Sequence, residues 1–182
     1  LSSVQTQALT DECAAMHVAQ RLLPAGVGAG HVRSLLRGDS TLWFEPHALS
    51  IAQQAFSDRI DMLRIALNRK LLLGLVDVES HYAMYLPGTG YARHLDRLHG
   101  NDARVISAVF YLNDAWLESD GGALRLHLDD RSYRDIHPRA GTLLLFLSDQ
   151  FEHEVLPATR NRMSIACWMR QRRLGGNGKV SG

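Results

Sequence analysis

Beyond residue 80 the chain breaks into short apolar runs, at 82–86, 105–112, 123–128, 142–147, 155–158 and 162–169, and that texture limits its fold more than any other feature. Each run has the length of a strand and is too short for a packed helix. Turn formers separate several of them: Pro87-Gly88, Asp120-Gly121-Gly122 and Ala140-Gly141. Short strands joined by turns predict two facing antiparallel sheets, a sandwich or jelly roll. The front of the chain reads differently. Residues 8–23 place Leu9, Ala15, Met16, Ala19, Leu22 and Leu23 roughly at helical spacing, before Pro24 and a glycine-rich break ending at Gly30. Ser50 can cap a second helix reaching about Leu73, with Ile51, Ala55, Ile60, Leu63, Leu67 and Leu71 as its apolar stripe. The expected class is mainly β with α (α+β). One domain spans 1–174, with a helical front (1–75) and a jelly-roll core (76–174), and the small polar tail 175–182 is expected to be disordered.

A chain of 182 residues can bury a core of its own. Its net charge of +1 offers no electrostatic footprint for nucleic acid. No apolar run approaches the roughly eighteen residues of a membrane-spanning helix. Asp11, Glu12 and His17 also make the first thirty residues unlike a secretory signal. Cys13 and Cys167 are too few and too far apart for a thiolate zinc site, and Cys167, in the apolar stretch 164–169, reads as a small core residue. A reduced, cytoplasmic protein with neither nucleic-acid nor membrane partners is expected.

His94 and Asp96 stand two residues apart, so on an extended strand both side chains leave the same face. Two imidazoles and one carboxylate are the set that holds Fe(II) on one side, leaving positions open for a co-substrate and O2. The spacing alone is weak, because nine histidines and thirteen aspartates produce such pairs by chance, and His127-Leu128-Asp129 is another. Context separates the two. His94 follows the turn Pro87-Gly88-Thr89-Gly90 and precedes an apolar strand, whereas His127 runs into the solvated Asp129-Asp130-Arg131. A third ligand has to come from elsewhere, and His153 opens the run that follows 142–147. Taken alone, His153 between Glu152 and Glu154 would read as an exposed loop histidine. Arg162 follows after a strand, a turn and a return, which would set a guanidinium deeper than the metal, where it could grip a carboxylate with two parallel hydrogen bonds. His17, His31, His47, His99 and His137 read as surface or packing residues.

Around these positions stand several further motifs in order. They are Arg37-Gly38-Asp39 with Trp43, the run from Tyr85 through Pro87, Gly88, Gly90 and Tyr91 to His94 and Asp96, and Tyr111-Leu112-Asn113 with Trp116. Gly121-Gly122-Ala123-Leu124-Arg125, then Leu147-Ser148-Asp149 ahead of His153-Glu154-Val155, and finally Arg162 with Trp168, complete the series. Over residues 35–170 the chain resembles the prolyl hydroxylases of the Fe(II)/2-oxoglutarate-dependent dioxygenases, in particular the oxygen-sensing, hypoxia-inducible-factor type and its compact bacterial relatives. The resemblance implies a double-stranded β-helix (jelly-roll) core with supporting helices, and His94, Asp96 and His153 as Fe(II) ligands. It implies that Arg162 binds the 5-carboxylate of 2-oxoglutarate, with the Tyr111 hydroxyl as second donor, Leu124 as an apolar wall and Tyr85 near metal and co-substrate. Tyr91, Arg104 and Trp168 match positions lining the substrate entrance. Asp39 matches a mobile loop that closes over that entrance, where it would pair with Arg104. Apart from the family, Tyr111, Leu124 and Trp168 would read as packing residues and Arg104 as a solvated cation. Two departures stand out: the turn before His94 is one residue shorter and carries Leu86 beside the proline, and Ala166 stands where the family often has a threonine near the co-substrate.

The implied activity is hydroxylation of a prolyl residue in a protein or peptide substrate, with a translation or regulatory protein as the expected target. 2-Oxoglutarate and O2 are consumed, succinate and CO2 are released, and ascorbate is an expected supporting reductant. The alternative is the same oxygenase chemistry on another peptide side chain, a free amino acid or a small metabolite. A binding module that kept the fold and lost the chemistry should have lost a ligand. A metallohydrolase built on the same three ligands has no use for Arg162.

Overall fold

The computed structural model describes residues 1–26, 36–97 and 103–172. The expected polar tail, the break at Gly30, His31 and His99 lie outside the described residues. Among the described residues, two α-helices and one short 3-10 turn (Glu118–Asp120) accompany ten strands: α1 (Ser3–Val18), β1 (Leu23–Pro24), β2 (Asp39–Trp43), α2 (Ile51–Leu71), β3 (Leu75–Tyr85), β4 (Tyr91–His94), β5 (Arg104–Tyr111), β6 (Leu124–His127), β7 (Tyr133–Ile136), β8 (Leu143–Leu147), β9 (His153–Val155) and β10 (Arg162–Gln171).

The first helix starts earlier and ends earlier than its apolar spacing predicts. Ser2 and Gln5 close a capping box, with Gln5 N–H donating to Ser2 Oγ (3.2 Å) and Ser2 N–H to Gln5 Oε1 (3.0 Å). Gln20 takes a left-handed φ of 56°, so Leu22 turns into the core and Leu23 begins a strand rather than continuing the helix. The second helix begins at its expected cap, Ser50, whose Oγ accepts from Gln53 N–H (3.1 Å). Its inward face is Phe56, Ile60, Leu63 and Leu67, narrower than the sequence suggests, since Ile51 and Leu71 are exposed. Glu12 ties the helices together by accepting from Ser50 Oγ (2.5 Å) and Gln53 Nε2 (2.6 Å).

The strands form two sheets, a major one ordered β1-β2-β3-β10-β5-β8 and a minor one ordered β4-β9-β6-β7. Every pairing within them is antiparallel. The front third is therefore not purely helical. β2 zips onto β3 with Asp39 opposite Tyr85 and Trp43 opposite His81, and β3 itself begins at Leu75 rather than in the low eighties.

Alternation along the central strands divides core from cavity. On β10, Met163, Ile165, Cys167 and Met169 face the helices and join Leu9, Phe56, Ile60, Tyr82 and Phe110 in the main apolar cluster. Burying each large side chain there contributes roughly 1.5–3 kcal/mol. Arg162, Ser164, Ala166 and Trp168 point the other way, into the space between the sheets. Cys13 and Cys167 are both free and buried. Among the described residues, no helix is long and apolar enough to cross a membrane.

Candidate active site

Register across the major sheet stacks the cavity wall in rows. Asp39, Tyr85 and Arg162 share one row, Thr41, Ala83, Ser164 and Tyr111 the next, and Trp43, His81, Ala166 and Val109 the one after. The minor sheet covers these rows and leaves a cavity of about 820 Å³ between. Its lining includes His94, Asp96, His153, Tyr85, Tyr91, Leu124, Arg104, Trp168, Asp39 and Arg162. Tyr111 does not line it directly; its ring sits 5.2 Å from the Arg162 guanidinium carbon.

His94, Asp96 and His153 each offer a ligand atom, and these atoms lie within 4.8 Å of one another. His94 closes β4 opposite His153, which opens β9. Asp96 does not share the strand with His94, as the two-residue spacing suggested; it sits in the bend beyond the strand's end. Its carboxylate is positioned from the other sheet, where Ser107 Oγ donates to Asp96 Oδ2 (2.6 Å) and is itself backed by Ser148 Oγ (2.9 Å). Both imidazoles turn Nδ1 to a backbone carbonyl, His94 to Ala92 (2.7 Å) and His153 to Phe151 (3.3 Å). That contact requires Nδ1–H, so each Nε2 keeps its lone pair and faces Asp96, at 3.6 Å in both cases. Burial opposes ionisation of Asp96, but His94, His153 and Ser107 outweigh it and hold the carboxyl below its usual range. Burial pushes the His153 imidazole below its ordinary range, toward the neutral form that a metal requires. His153 is buried (5% exposed), not a loop histidine in solvent.

The second pair named by spacing does not join the cluster. His127 Nε2 contacts Glu154 (3.1 Å), and Asp129 accepts from Arg131 and Ser132 within an exposed turn.

At the far end of the cavity Arg162 is 1% exposed. Its Nε donates to the Gly122 carbonyl (2.8 Å), NH1 reaches Ser164 Oγ only at 3.5 Å, and NH2 has no partner. The Tyr111 hydroxyl beside it is also buried and unpartnered, and burial pushes it up to about 12, so it stays a donor. Leaving a guanidinium and a hydroxyl buried with donors unused is costly, and a carboxylate ligand would relieve both. The approach to Gly122 depends on glycine: at φ 67°, an added Cβ would lie 2.9 Å from Ala158 Cβ and 3.4 Å from Arg162 Cδ. Tyr85 and Leu124 are both buried, and the Tyr85 ring lies 5.2 Å from the Arg162 guanidinium carbon.

The outer rows bring Trp43, His81 and Trp168 together, with His81 4.7 Å from Trp43 and 5.3 Å from Trp168 between ring centroids. His81 Nδ1–H donates to the Tyr82 carbonyl (2.9 Å), leaving Nε2 an unpartnered acceptor, and Trp168 Nε1 is an unpartnered donor. Arg104 lies 3.8 Å over Trp168 and donates from Nε to Glu79 (2.8 Å). The expected Asp39–Arg104 pair is therefore corrected. Asp39 is not on a mobile loop; it opens β2, is 3% exposed, and takes a two-point pair from Arg37 (2.6 and 2.9 Å). Tyr91, expected at the entrance, stacks on His94 at 3.7 Å. Ser107, Ser148, Arg37, His81 and Trp43 join the site in the structure, although the sequence alone gives none of them a site role. Ser107 has one sequence signal, a small polar residue inside the apolar run 105–112.

Comparison with known proteins is consistent with this donor set. The 2OG-Fe(II) oxygenase superfamily model matches residues 80–170, half of the chain. Among curated proteins, Egl nine homolog 1 of Rattus norvegicus is 40% identical over 84 residues, which are 44% of this chain and 25% of that protein. The chain thus matches about a quarter of that relative's length. Among solved structures, a Pseudomonas putida prolyl-4-hydroxylase is 42% identical with a TM-score of 0.86, covering 94% of this chain and 89% of its own. A Trichoplax adhaerens prolyl hydroxylase, solved with a hypoxia-inducible-factor peptide fragment, shares the fold at a TM-score of 0.86 and 24% identity, covering 97% of this chain and 84% of its own. The jelly roll, a two-histidine-one-carboxylate cluster beside a buried arginine, the matched model and the near-full-length relative agree: the chain belongs to the 2OG-Fe(II) oxygenase superfamily.

Proposed function

We propose that the protein is a 2-oxoglutarate-dependent prolyl hydroxylase acting on a proline within a peptide or protein. The reading rests above all on one cavity that holds both a three-ligand cluster and, deeper, a guanidinium with free donors. When bound, Fe(II) supplies the centre at which O2 and 2-oxoglutarate react to give succinate, CO2 and a hydroxylated substrate. His94 and His153 would hold it through Nε2, and Asp96 through a carboxylate kept ionised and aimed by Ser107. Arg162, with the Tyr111 hydroxyl, would grip the distal carboxylate of 2-oxoglutarate. Tyr85 and Leu124 close the apolar wall around the chain between and exclude water.

The outer rows support a peptide rather than free proline. Trp43 offers an exposed aromatic surface to a pyrrolidine ring, and beside it the buried His81 and Trp168, which also line the cavity, carry one unpartnered acceptor and one unpartnered donor. A main-chain amide can satisfy both, and since proline has no N–H, the group donating to His81 would come from a neighbouring residue. Arg104 would act as a lid on Trp168 rather than as a free anchor for acidic residues, because Glu79 already neutralises it. Two free, buried cysteines suit a reducing, cytoplasmic setting.

The test is mass spectrometry after incubation with Fe(II), 2-oxoglutarate, O2 and a panel of prolyl and proline-free peptides. A one-oxygen gain confined to prolyl peptides, matched by succinate, is expected. It should vanish in His94→Ala and survive in His127→Ala. Turnover only on free proline or on proline-free substrates would sink the peptidyl-proline reading.

A further inference from the structure

We propose that Arg37 and Tyr91 form a positioning stack behind the metal ligand His94, and that the Arg37-Gly38-Asp39 turn serves to hold it. The proposal rests on the metal-site reading above. The Tyr91 and His94 rings lie 3.7 Å apart at 20°, a near-parallel stack. The hydrogen bond from His94 Nδ1 to Ala92 O (2.7 Å) fixes one direction in the imidazole plane but not the plane itself. Stacking supplies the missing constraint, so bond and stack together leave Nε2 a single direction.

The Tyr91 ring is held in turn. The guanidinium carbon of Arg37 sits 5.0 Å from its centroid. Arg37 is committed to Asp39 through two bonds of 2.6 and 2.9 Å, and the Asp39 side chain is only 1% exposed. Burial works against the Arg37 charge, yet Asp39 outweighs it and keeps the group protonated. A buried ion pair is poor evidence for stability, since desolvation cancels much of the attraction. What this pair does provide is direction, because a two-point bond to a carboxylate anchored in a strand aims the guanidinium at one place.

The backbone carries the same message. Arg37 bridges Tyr91 in the minor sheet, flanked by Gly38 N–H to Gly90 O (2.9 Å) and Ala92 N–H to Leu36 O (2.8 Å). Two residues on, Asp39 pairs with Tyr85 in the major sheet. The turn thus stitches the two sheets together beside the metal cluster. Gly38 is required there, because a Cβ would lie 2.8 Å from Thr89 Cβ and 3.2 Å from Gly90 O. A side chain at this point would push the stitch off the strand that bears His94.

The test is anaerobic titration of metal-free protein with Co(II), without 2-oxoglutarate or peptide, reading both affinity and the visible ligand-field bands. Tyr91→Phe, which keeps the ring, should match wild type in both. Tyr91→Ala should bind Co(II) about tenfold more weakly with altered bands. Arg37→Met, which spares the ring and the backbone bridge, should shift the bands in the same direction by less, and it remains informative if Tyr91→Ala does not fold. Wild-type affinity and bands in folded Tyr91→Ala or Arg37→Met would overturn the proposal, as would equal losses in Tyr91→Phe and Tyr91→Ala. Failure of the wild type itself to bind Co(II) would instead overturn the metal-site reading, and this one with it.

Discussion

His81 is a residue whose chemistry is fully set by its surroundings. Its Nδ1–H is used by the Tyr82 carbonyl, it is 1% exposed, and burial pushes its pKa down to about 4. The folded protein therefore refuses a proton that the unfolded chain, with a histidine near 6.5, accepts. Stability should be complete above pH 6.5 and fall as pH drops toward 4, by roughly 3 kcal/mol if this group acts alone. Urea unfolding between pH 4 and 7 should show a shallower decline in His81→Phe than in wild type, and parallel profiles would disprove the assignment. Asp96 and Asp135, held below their usual range, and His153, pushed below its own by burial, contribute alike to both proteins, so the difference between the two profiles isolates His81. Legibility at this scale followed chemistry. His94, Asp96, His153 and Arg162 could be named because iron and a carboxylate demand those residue types. Arg37, Ser107 and His81 could not, because their partners are decided by strand register and not by neighbours in sequence.

Elements show the same division. β5 and β10 are legible as apolar runs because one face of each packs against the main core, and β8 because Leu144 and Phe146 pack into a second apolar cluster with Tyr111 and Leu124. β2, β4 and β7 are not, being short, rich in polar residues and recognisable only through the strands they pair with. The first helix was displaced because Leu22 and Leu23 continue an apolar rhythm after the backbone has already left the helix at Gln20. Helix caps were better guides than stripes, and they can be ranked. Ser50 both caps α2 and donates to the otherwise shielded Glu12, whereas Ser2 caps α1 in the open. Ser50→Ala should cost about 2 kcal/mol and Ser2→Ala about 1 or less. Equal shifts in the denaturation midpoints of the two variants would show that Glu12 gains nothing from Ser50.

For the molecule as a whole, the site should act as a conditional part of the fold. A buried guanidinium with unused donors destabilises the empty protein, so ligands that satisfy it should raise the melting temperature by mass action. Mn(II) with 2-oxoglutarate at about a hundred times Kd should add roughly 2.7 kcal/mol beyond Mn(II) alone. Arg162→Lys should keep the increment from Mn(II) and lose most of that from 2-oxoglutarate, because an ammonium cannot reproduce the two-point grip. A full 2-oxoglutarate increment in Arg162→Lys, read by thermal denaturation, would remove Arg162 from the binding role.

The alternation along β10 has one more consequence. The same ten residues supply Ile165, Cys167 and Met169 to the core and Arg162, Ser164 and Trp168 to the cavity, so the strand has in effect a two-letter reading frame. Inserting or deleting one residue within it would exchange the two sets, drowning the arginine in hydrocarbon and turning the core out toward substrate. Between Arg162 and Met169, where the pairing with β3 and β5 runs unbroken, a change of length is therefore not compatible with a working enzyme. That stretch of the central strand can vary only by substitution.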